Sequence, residues 1–411
     1  MIQKITKILH RIIAAKQPSF IISYMYLIKP KNNYIKIHKA IFLKSFSHLD
    51  LVIINTLACF RWICYFAWIS CYKTAKKSTD EQLNQAACKN RYYLFVKLLK
   101  LSLANFIAPH YYFKYKLYQH NPFEFFYSKE NSPLHIYSDR NIDNSKNHIR
   151  LISDKYAFLQ FLEKQNIQVN YSNKTNVNQI LANPEIIFKN QKIFCKPNIA
   201  NRSIGALCIS YNNSEYELIT LVDKKIVTGK SQILKFLESY YAKNQEILVE
   251  TFFEDDNYIK NLSQHPTDTT TIRIITASIE ASEPIIPQVI YAQLEIPILE
   301  NNNKQQFYNI LPLNINTLNI DLTHISEFKD KAKFKNLQIP ETLKEKIKIA
   351  INKCIKTHER LNIRAIAFDI IISPSDVVII EANYNWDIEI LYQAFGHNNK
   401  DHIAKLWLEN L

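Results

Sequence analysis

The residues best able to do chemistry lie near the carboxy terminus, in the stretch Ala365–Asn383, AIAFDIIISPSDVVIIEAN. Two apolar runs flank Pro374, Ser375 and Asp376, a turn-forming cluster. A three-residue loop pairs Ser373 with Val377, and counting back along both strands sets Asp369 opposite Glu381. Asn383, two residues further on, shares the face of Glu381. Two carboxylates placed opposite each other repel. On an otherwise apolar hairpin that repulsion needs an offset. A hard divalent cation, Mg²⁺ or Mn²⁺ in its place, supplies it through oxygen ligands. Spacing alone leaves two other readings open: solvated carboxylates on an edge hairpin, or carboxylates paired with Lys or Arg.

Three further segments carry weaker signals. In Ile193–Pro197 a strand delivers Lys196 and Pro197 breaks it, beside a polar loop, Asn198–Gly205. A fixed lysine next to such a loop suits an ATP phosphate, although lysines at strand ends are common. In Ile247–Phe253 a buried strand runs into Glu250 and can present backbone groups to an adenine; alone it reads as a plain core strand. In Thr269–Thr276 Arg273 interrupts a β-branched run, and a charge there requires a phosphate, a substrate carboxylate or a structural Asp as partner.

These segments sit among short β-branched runs and helical stretches. Strands are predicted over 192–196, 207–211, 246–252, 270–278, 285–294, 364–373 and 377–382. Helices are predicted over 154–164, 231–243 and 341–361. The mixture is α+β with substantial antiparallel sheet. Residues 301–336 are polar and irregular and read as a long loop or cap. The chain of 411 residues holds only 3 Gly, so turns that ordinarily rely on Gly fall to Asn, Asp and Ser.

The amino-terminal third differs in kind. The chain holds 51 Lys+Arg and 37 Asp+Glu, a net +14; residues 1–130 contain 20 basic and 5 acidic residues, a net +15, which leaves −1 for residues 131–411. Ile2, Ile5, Ile8, Leu9, Ile12 and Ile13 follow helical spacing with Lys4, Lys7, Arg11 and Lys16 between them, a basic amphipathic helix able to lie on an anionic membrane surface or to pack on its own domain. Residues 51–69, LVIINTLACFRWICYFAWI, are long enough to span a bilayer, but Arg61 at their centre favours a buried or interfacial helix. The aromatic stretch ending HYYFKYKLYQHNPFEFFY interleaves Tyr and Lys; no nucleic-acid motif accompanies it, so helix packing is the reading and nucleic acid is not an expected partner. Seven Cys form no CxxC pair or zinc spacing, and the first residues lack a signal-peptide pattern, which points to a reducing, cytoplasmic setting, peripheral to the inner membrane face if the basic segment meets lipid.

Taken in order, the Lys-Pro strand, the Val-Glu strand, the Thr-x-Arg strand and the Asp…Glu-x-Asn hairpin resemble the ATP-grasp superfamily, and most nearly its sugar-transfer-associated family. The likeness covers about residues 100–395 and includes PHYYFKYKLY at 109–118 and SDKYAFLQFLEKQNI at 153–167. It implies an ATP-grasp domain over 131–411, two α+β subdomains sandwiching ATP, after a basic, mainly helical region over 1–130. It implies that Asp369, Glu381 and Asn383 hold Mg²⁺ on ATP, that Lys196 contacts the α- and β-phosphates, and that Lys155 lines the site. It further implies that Glu250, Thr251 and Phe252 form the adenine hinge and that Arg273 faces the transferred phosphate or the acyl substrate. For the ribose, Gln264-His265-Pro266 looks like a family segment, whereas chain length favours Asp255 or Asp256. The implied activity is an ATP- and Mg-dependent ligase joining an unidentified carboxylate to an amine or similar nucleophile through an acyl-phosphate, in envelope polysaccharide or glycoconjugate synthesis. The chain departs from the family in its Gly-poor phosphate loop and in the segment after Arg273. Two alternatives therefore stand: a nucleotide-binding protein weakened in catalysis, or a basic peripheral membrane protein with a vestigial ATP-grasp fold.

Overall fold

The computed structural model describes residues 10, 13–27, 32–46, 49–127, 130, 142–169, 172–199, 204–212, 214–263, 269–278, 286–297, 308–322, 334, 337–388 and 391–392. The amphipathic stretch 2–12 (apart from His10), residues 200–203 of the loop 198–205 and the Gln264–Pro266 segment lie outside them. The chain is α+β and divides into two compact units. One comprises Met1–Ile142, Ile279–Ala281 and Asn385–Leu411; the other comprises Asp143–Ser278 and Ser282–Tyr384.

The first unit is helical, with helices at Asn33–Ser45, Leu49–Arg61, Ala67–Lys77, Asp80–Gln85 and Arg91–Asn105. Asn32 and Asn90 cap two of them by accepting from backbone N–H groups of the first turn. Stretch 51–69, expected to be a buried or interfacial helix, is helical with one face buried and the other exposed. The Tyr/Phe stretch is core: Tyr115 meets Phe125 and Tyr127 at ring-centroid distances of 5.0 Å each. Buried Glu130 fastens this core, accepting from His38 Nδ1 at 2.8 Å and from the Ile21 and Tyr127 amides.

The second unit holds two antiparallel sheets. Its strands are β1 (Ser172–Thr175), β2 (Lys192–Pro197), β3 (Leu207–Asn212), β4 (Glu215–Thr220), β5 (Ile226–Thr228), β6 (Ile247–Thr251), β7 (Thr271–Ala277), β8 (Gln288–Pro297), β9 (Tyr308–Leu313), β10 (Ala365–Ile372) and β11 (Val377–Asn383). Six strands form one sheet in the order β1-β6-β2-β3-β4-β5, and five form the other as β11-β10-β7-β8-β9. Strand β9 corrects the expectation of a loop over 301–336: Leu311 and Leu313 are buried and pair with β8.

Alternation assigns each sheet two faces. In the six-stranded sheet Ile193, Cys195, Leu207, Ile209, Ile247 and Val249 join a core with Ile233 and Leu237 of the Lys230–Tyr240 helix. In the five-stranded sheet Ile272, Ile274, Leu294, Ile366, Phe368 and Ile370 face a second core, completed by Leu343, Ile347 and Cys354 of the Glu341–His358 helix. Opposite faces are left for Lys196 and Glu250 in the first sheet, and for Arg273 and Asp369 in the second.

The Glu341–His358 helix ends in a buried polar contact. His358 Nε2 donates to the Ile363 carbonyl and its Nδ1 accepts from Thr276 Oγ1, each at 2.6 Å. Burial holds this imidazole neutral, lowering its pKa to about 4. A folded-state value below the ordinary 6.5 means that the unfolded chain binds the proton first. Stability from this group is therefore complete above pH 6.5 and is lost as pH falls toward 4, by about 3 kcal/mol in all. A His358→Gln variant, which keeps a donor for Ile363, should show a shallower fall in melting temperature over that window than the wild type. Parallel pH–melting curves would sink this assignment.

Candidate functional site

The site is built on one rung of the five-stranded sheet. Register places Glu381 of β11 beside Asp369 of β10, Asp369 beside Arg273 of β7, and Arg273 beside Gln293 of β8. All four side chains leave the sheet on the face away from the core.

The Asp369–Glu381 pairing arises by a different route from the one the turn suggests. Ile372, not Ser373, pairs with Val377 across a four-residue turn closed by bonds between Ser373 and Asp376. This register sends Val377 and Ile379 into the core, where they are nearly inaccessible. Continued unchanged, it would also send Glu381 into the core. A bulge between Ile370 and Asp369, with Ile380 the extra residue, shifts the register by one. Ala382 then faces the core, and Glu381 and Asn383 face the site. Asn383 Nδ2 donates to Glu381 Oε1 at 2.9 Å and approaches Asp369 Oδ2 at 3.5 Å.

Arg273 partners a structural Asp, one of the three possibilities its sequence context left open. Its Nε and Nη2 donate to the two Asp369 oxygens at 2.8 and 3.0 Å, and Nη1 lies 3.0 Å from Glu295 Oε1. Glu295 also accepts from Gln293 Nε2 at 2.6 Å, and Gln293 accepts from Tyr291 at 2.8 Å. Sequence reasoning passed over Glu295. Its signal was present: Tyr291, Gln293 and Glu295 recur with period two in an otherwise apolar strand.

Two lysines bring positive charge to the site, each paired with a different carboxylate. Lys155 opens the Lys155–Lys164 helix and sets Nζ 3.6 Å from Glu381 Oε2. Lys196, at the end of β2, pairs with Glu250 at 3.0 Å, a diagonal neighbour on the same face. Fully buried Asn198 ties the two elements together. It accepts from the Tyr156 amide at 2.9 Å and donates to Asp154 at 3.0 Å and Glu246 at 2.8 Å. Asn198 is a second residue the sequence did not single out for this task.

The charges divide unevenly. Burial, aided by Glu381 and opposed by Arg273, pushes the Asp369 carboxyl up to about 7. Burial acts on Glu381 in the same sense but is outweighed by Lys155 and Lys196, which hold it below the carboxylate range. Burial also lowers Lys155, against the pull of Glu381. For Arg273, burial acts downward but Asp369 and Glu295 prevail and raise it.

The remaining predicted residues are placed as follows. Thr251 ends β6 and Phe252 follows it beside Lys192, whose Nζ stands 3.6 Å from the Phe252 ring centroid. Both Asp255 oxygens accept from the Thr270 amide at 3.0 Å. Asp256 accepts from the Tyr258 amide at 3.1 Å and from Lys346 at 2.6 Å. Among the described residues no group of three or more His, Cys, Asp or Glu side chains is arranged to hold a metal. The donor set facing the rung is two carboxylates and the carboxamide of Asn383. These are hard oxygen donors of the kind Mg²⁺ takes, and they fit it once Asn383 turns its oxygen inward.

Among solved structures, the chain is similar to the ATP-grasp ligase PsnB complexed with minimal precursor, at 11% identity over 65% of this chain and 62% of that one, TM-score 0.36. It is similar to D-alanine–D-alanine ligase from Bacillus anthracis complexed with ATP, at 12% over 57% and 56%, TM-score 0.33. It is also similar to VanG D-Ala:D-Ser ligase from Enterococcus faecalis, at 13% over 64% and 62%, TM-score 0.39. These neighbours are ATP-grasp ligases, and the match spans less than two thirds of the length of each. No protein-family model and no curated protein matches the chain.

The rung makes a stability prediction independent of any ligand. Arg273→Met leaves Asp369 and Glu295 buried without their counter-charge and should cost about 3–5 kcal/mol in urea unfolding. Adding Asp369→Asn and Glu295→Gln should recover most of that loss. A single-variant loss below about 1 kcal/mol would mean that solvent already screens these charges.

Proposed function

We propose that the two-sheet unit binds ATP with Mg²⁺ and is an ATP-grasp ligase that joins a carboxylate to an amine or similar nucleophile. The observation that carries this reading is the approach of Lys155, at the start of a helix packed on the five-stranded sheet, to Glu381 of the Asp369–Glu381–Asn383 hairpin, with Lys196 of the six-stranded sheet near enough to help hold the Glu381 carboxyl down. Phosphates need fixed cations, and a metal on phosphates needs hard oxygens; here both stand within one ion-pair network.

The chemistry follows in two balanced steps. A carboxylate oxygen of the substrate attacks the γ-phosphorus, the bond to the bridging oxygen breaks, and ADP leaves with its electron pair. The nucleophile then attacks the acyl carbon, phosphate departs, and the nucleophile loses a proton. Mg²⁺, when bound, supplies neutralisation of phosphate charge. Lys155 and Lys196 exchange Glu381 and Glu250 for phosphate oxygens and hold the phosphates in line. Arg273 keeps Asp369 aimed, and the backbone of Glu250, Thr251 and Phe252 receives the adenine. Asp255 or Asp256 reads the ribose only by sharing the partners it already has. Motif likeness to the sugar-transfer-associated family supports an acceptor from envelope polysaccharide or glycoconjugate synthesis.

Calorimetry with Mg²⁺ and ATP tests the site. Wild type should bind, and Glu381→Ala with Asn383→Ala should weaken binding by about 100-fold or more. If folded wild type does not bind millimolar ATP, the ligase reading fails. Binding without ADP release across a panel of carboxylates and amines favours the nucleotide-binding protein weakened in catalysis, a reading that the Gly-poor phosphate loop also supports.

A further inference from the structure

The helical unit carries a surface that the ligase reading leaves unused. From Leu51 to Lys77 the chain forms one apolar helical run of 27 residues, about 40 Å long. Its buried stripe is Ile54, Ala58, Trp62, Ala67, Cys71 and Ala75. The spacing is four residues except from Trp62 to Ala67, where it is five. That step coincides with a π-helical turn, Trp62–Phe66, which keeps the stripe aimed at the protein. The opposite face is apolar as well: Leu49, Ile53, Leu57, Phe60 and Trp68 are exposed, Phe60 by 68%. Exposed Tyr72, Tyr92 and Tyr93 extend it toward the packed Arg91–Asn105 helix.

A helix apolar on both faces has two solvents to satisfy, and here one of them is protein. The buried face is fastened: Trp62 donates to the Ser102 carbonyl at 2.9 Å, Cys71 to Ser102 Oγ at 3.4 Å, and Asn55 accepts from Ser19 at 3.0 Å. These contacts commit one face of the helix to protein and leave the exposed face for the second environment. Charge identifies that environment. Residues 1–130 carry a net +15, and exposed Lys73, Lys76, Lys77, Lys97 and Lys100 lie on the two helices that present the aromatic side chains. Exposed Trp and Tyr beside Lys form the pattern of a membrane interface, where amphipathic rings sit at headgroup level and lysines meet anionic lipid.

We infer that the exposed face of the Leu49–Lys77 helix docks in the plane of an anionic lipid bilayer, burying Phe60 and Trp68 at the headgroup boundary. Flotation of the full chain with vesicles tests it. Phosphatidylcholine vesicles containing phosphatidylserine should carry the protein, pure phosphatidylcholine vesicles should not, and added salt should weaken the binding. Phe60→Ser with Trp68→Ser alters only exposed positions, with circular dichroism as the check on folding, and should weaken partition about tenfold or more. Bromine-labelled acyl chains should quench tryptophan fluorescence in wild type and much less in Trp68→Phe. Three results would overturn the inference: no flotation at low salt, flotation of the double variant at the wild-type level, or a wild-type dimer that the double variant turns into monomer without any flotation.

Discussion

Arg273 decides what the polar face of the five-stranded sheet can be. Asp369 and Glu381 are direct neighbours across two strands, and register gives them no means of separating. An ion of either sign buried alone is costly, and like charges side by side more so. Arg273, on the next strand of the same rung, engages both oxygens of Asp369 in the forked geometry that a guanidinium allows and a lysine does not. Its third contact, to Glu295, balances a second buried carboxylate. With Asp369 so held, Glu381 is free to answer to a different partner, and Lys155 reaches it from outside the sheet.

The rest of the site is a set of exchangeable ion pairs hung on that fixed one. Lys155 holds Glu381, and Lys196 holds Glu250. Three cations, Lys155, Lys196 and Arg273, face four carboxylates, Asp369, Glu381, Glu250 and Glu295, and burial makes every unmatched charge count. A polyanion that took the two lysines would strand Glu381 and Glu250, so it must bring positive charge with it. A nucleotide accompanied by a divalent cation meets both demands together, whereas a simple anion meets one. This charge balance supports the proposed nucleotide–metal ligand on grounds separate from motif likeness.

Some of this was legible in the sequence and some was not, for reasons tied to particular residues. The facing of Asp369 and Glu381 could be counted from the hairpin, but the count ran through the wrong turn. Burial of Val377 and Ile379 outweighs the shorter loop, and a bulge at Ile380 restores the pairing. One-residue shifts of this kind are invisible to alternation alone, because both strands are apolar on both faces near the turn. Strands β1, β4 and β5 escaped notice: β1 and β5 are edges, which need not alternate, and Ser172, Asn173 and Lys174 have no apolar pattern to read, while β4, next to the edge, mixes Glu215 and Glu217 with Leu218 and Ile219. Arg273 had three possible partners because a sequence shows that a buried charge needs one without showing which. Asn198 was the hardest to read: its amide joins three segments that lie far apart in the chain.

The scarcity of glycine sharpens this point. The expectation was that Asn, Asp and Ser would take its place at left-handed positions. Among the described residues positive φ occurs at Asn166 and Ser214, but also at Ala87, Phe106, Lys116, Lys224 and Leu318. Each of these costs about 1 kcal/mol, which a chain with two large cores can absorb. Gly205 is different. At φ +78° it lies only a little beyond the +48° to +70° that other residues adopt elsewhere in this chain, yet a Cβ there would stand 2.8 Å from Pro197 Cγ. Backbone strain is negotiable and a steric overlap with a proline ring is not. Glycine therefore persists where the loop returns against the strand that carries Lys196, and its presence there marks a close approach that conformational preference alone does not explain.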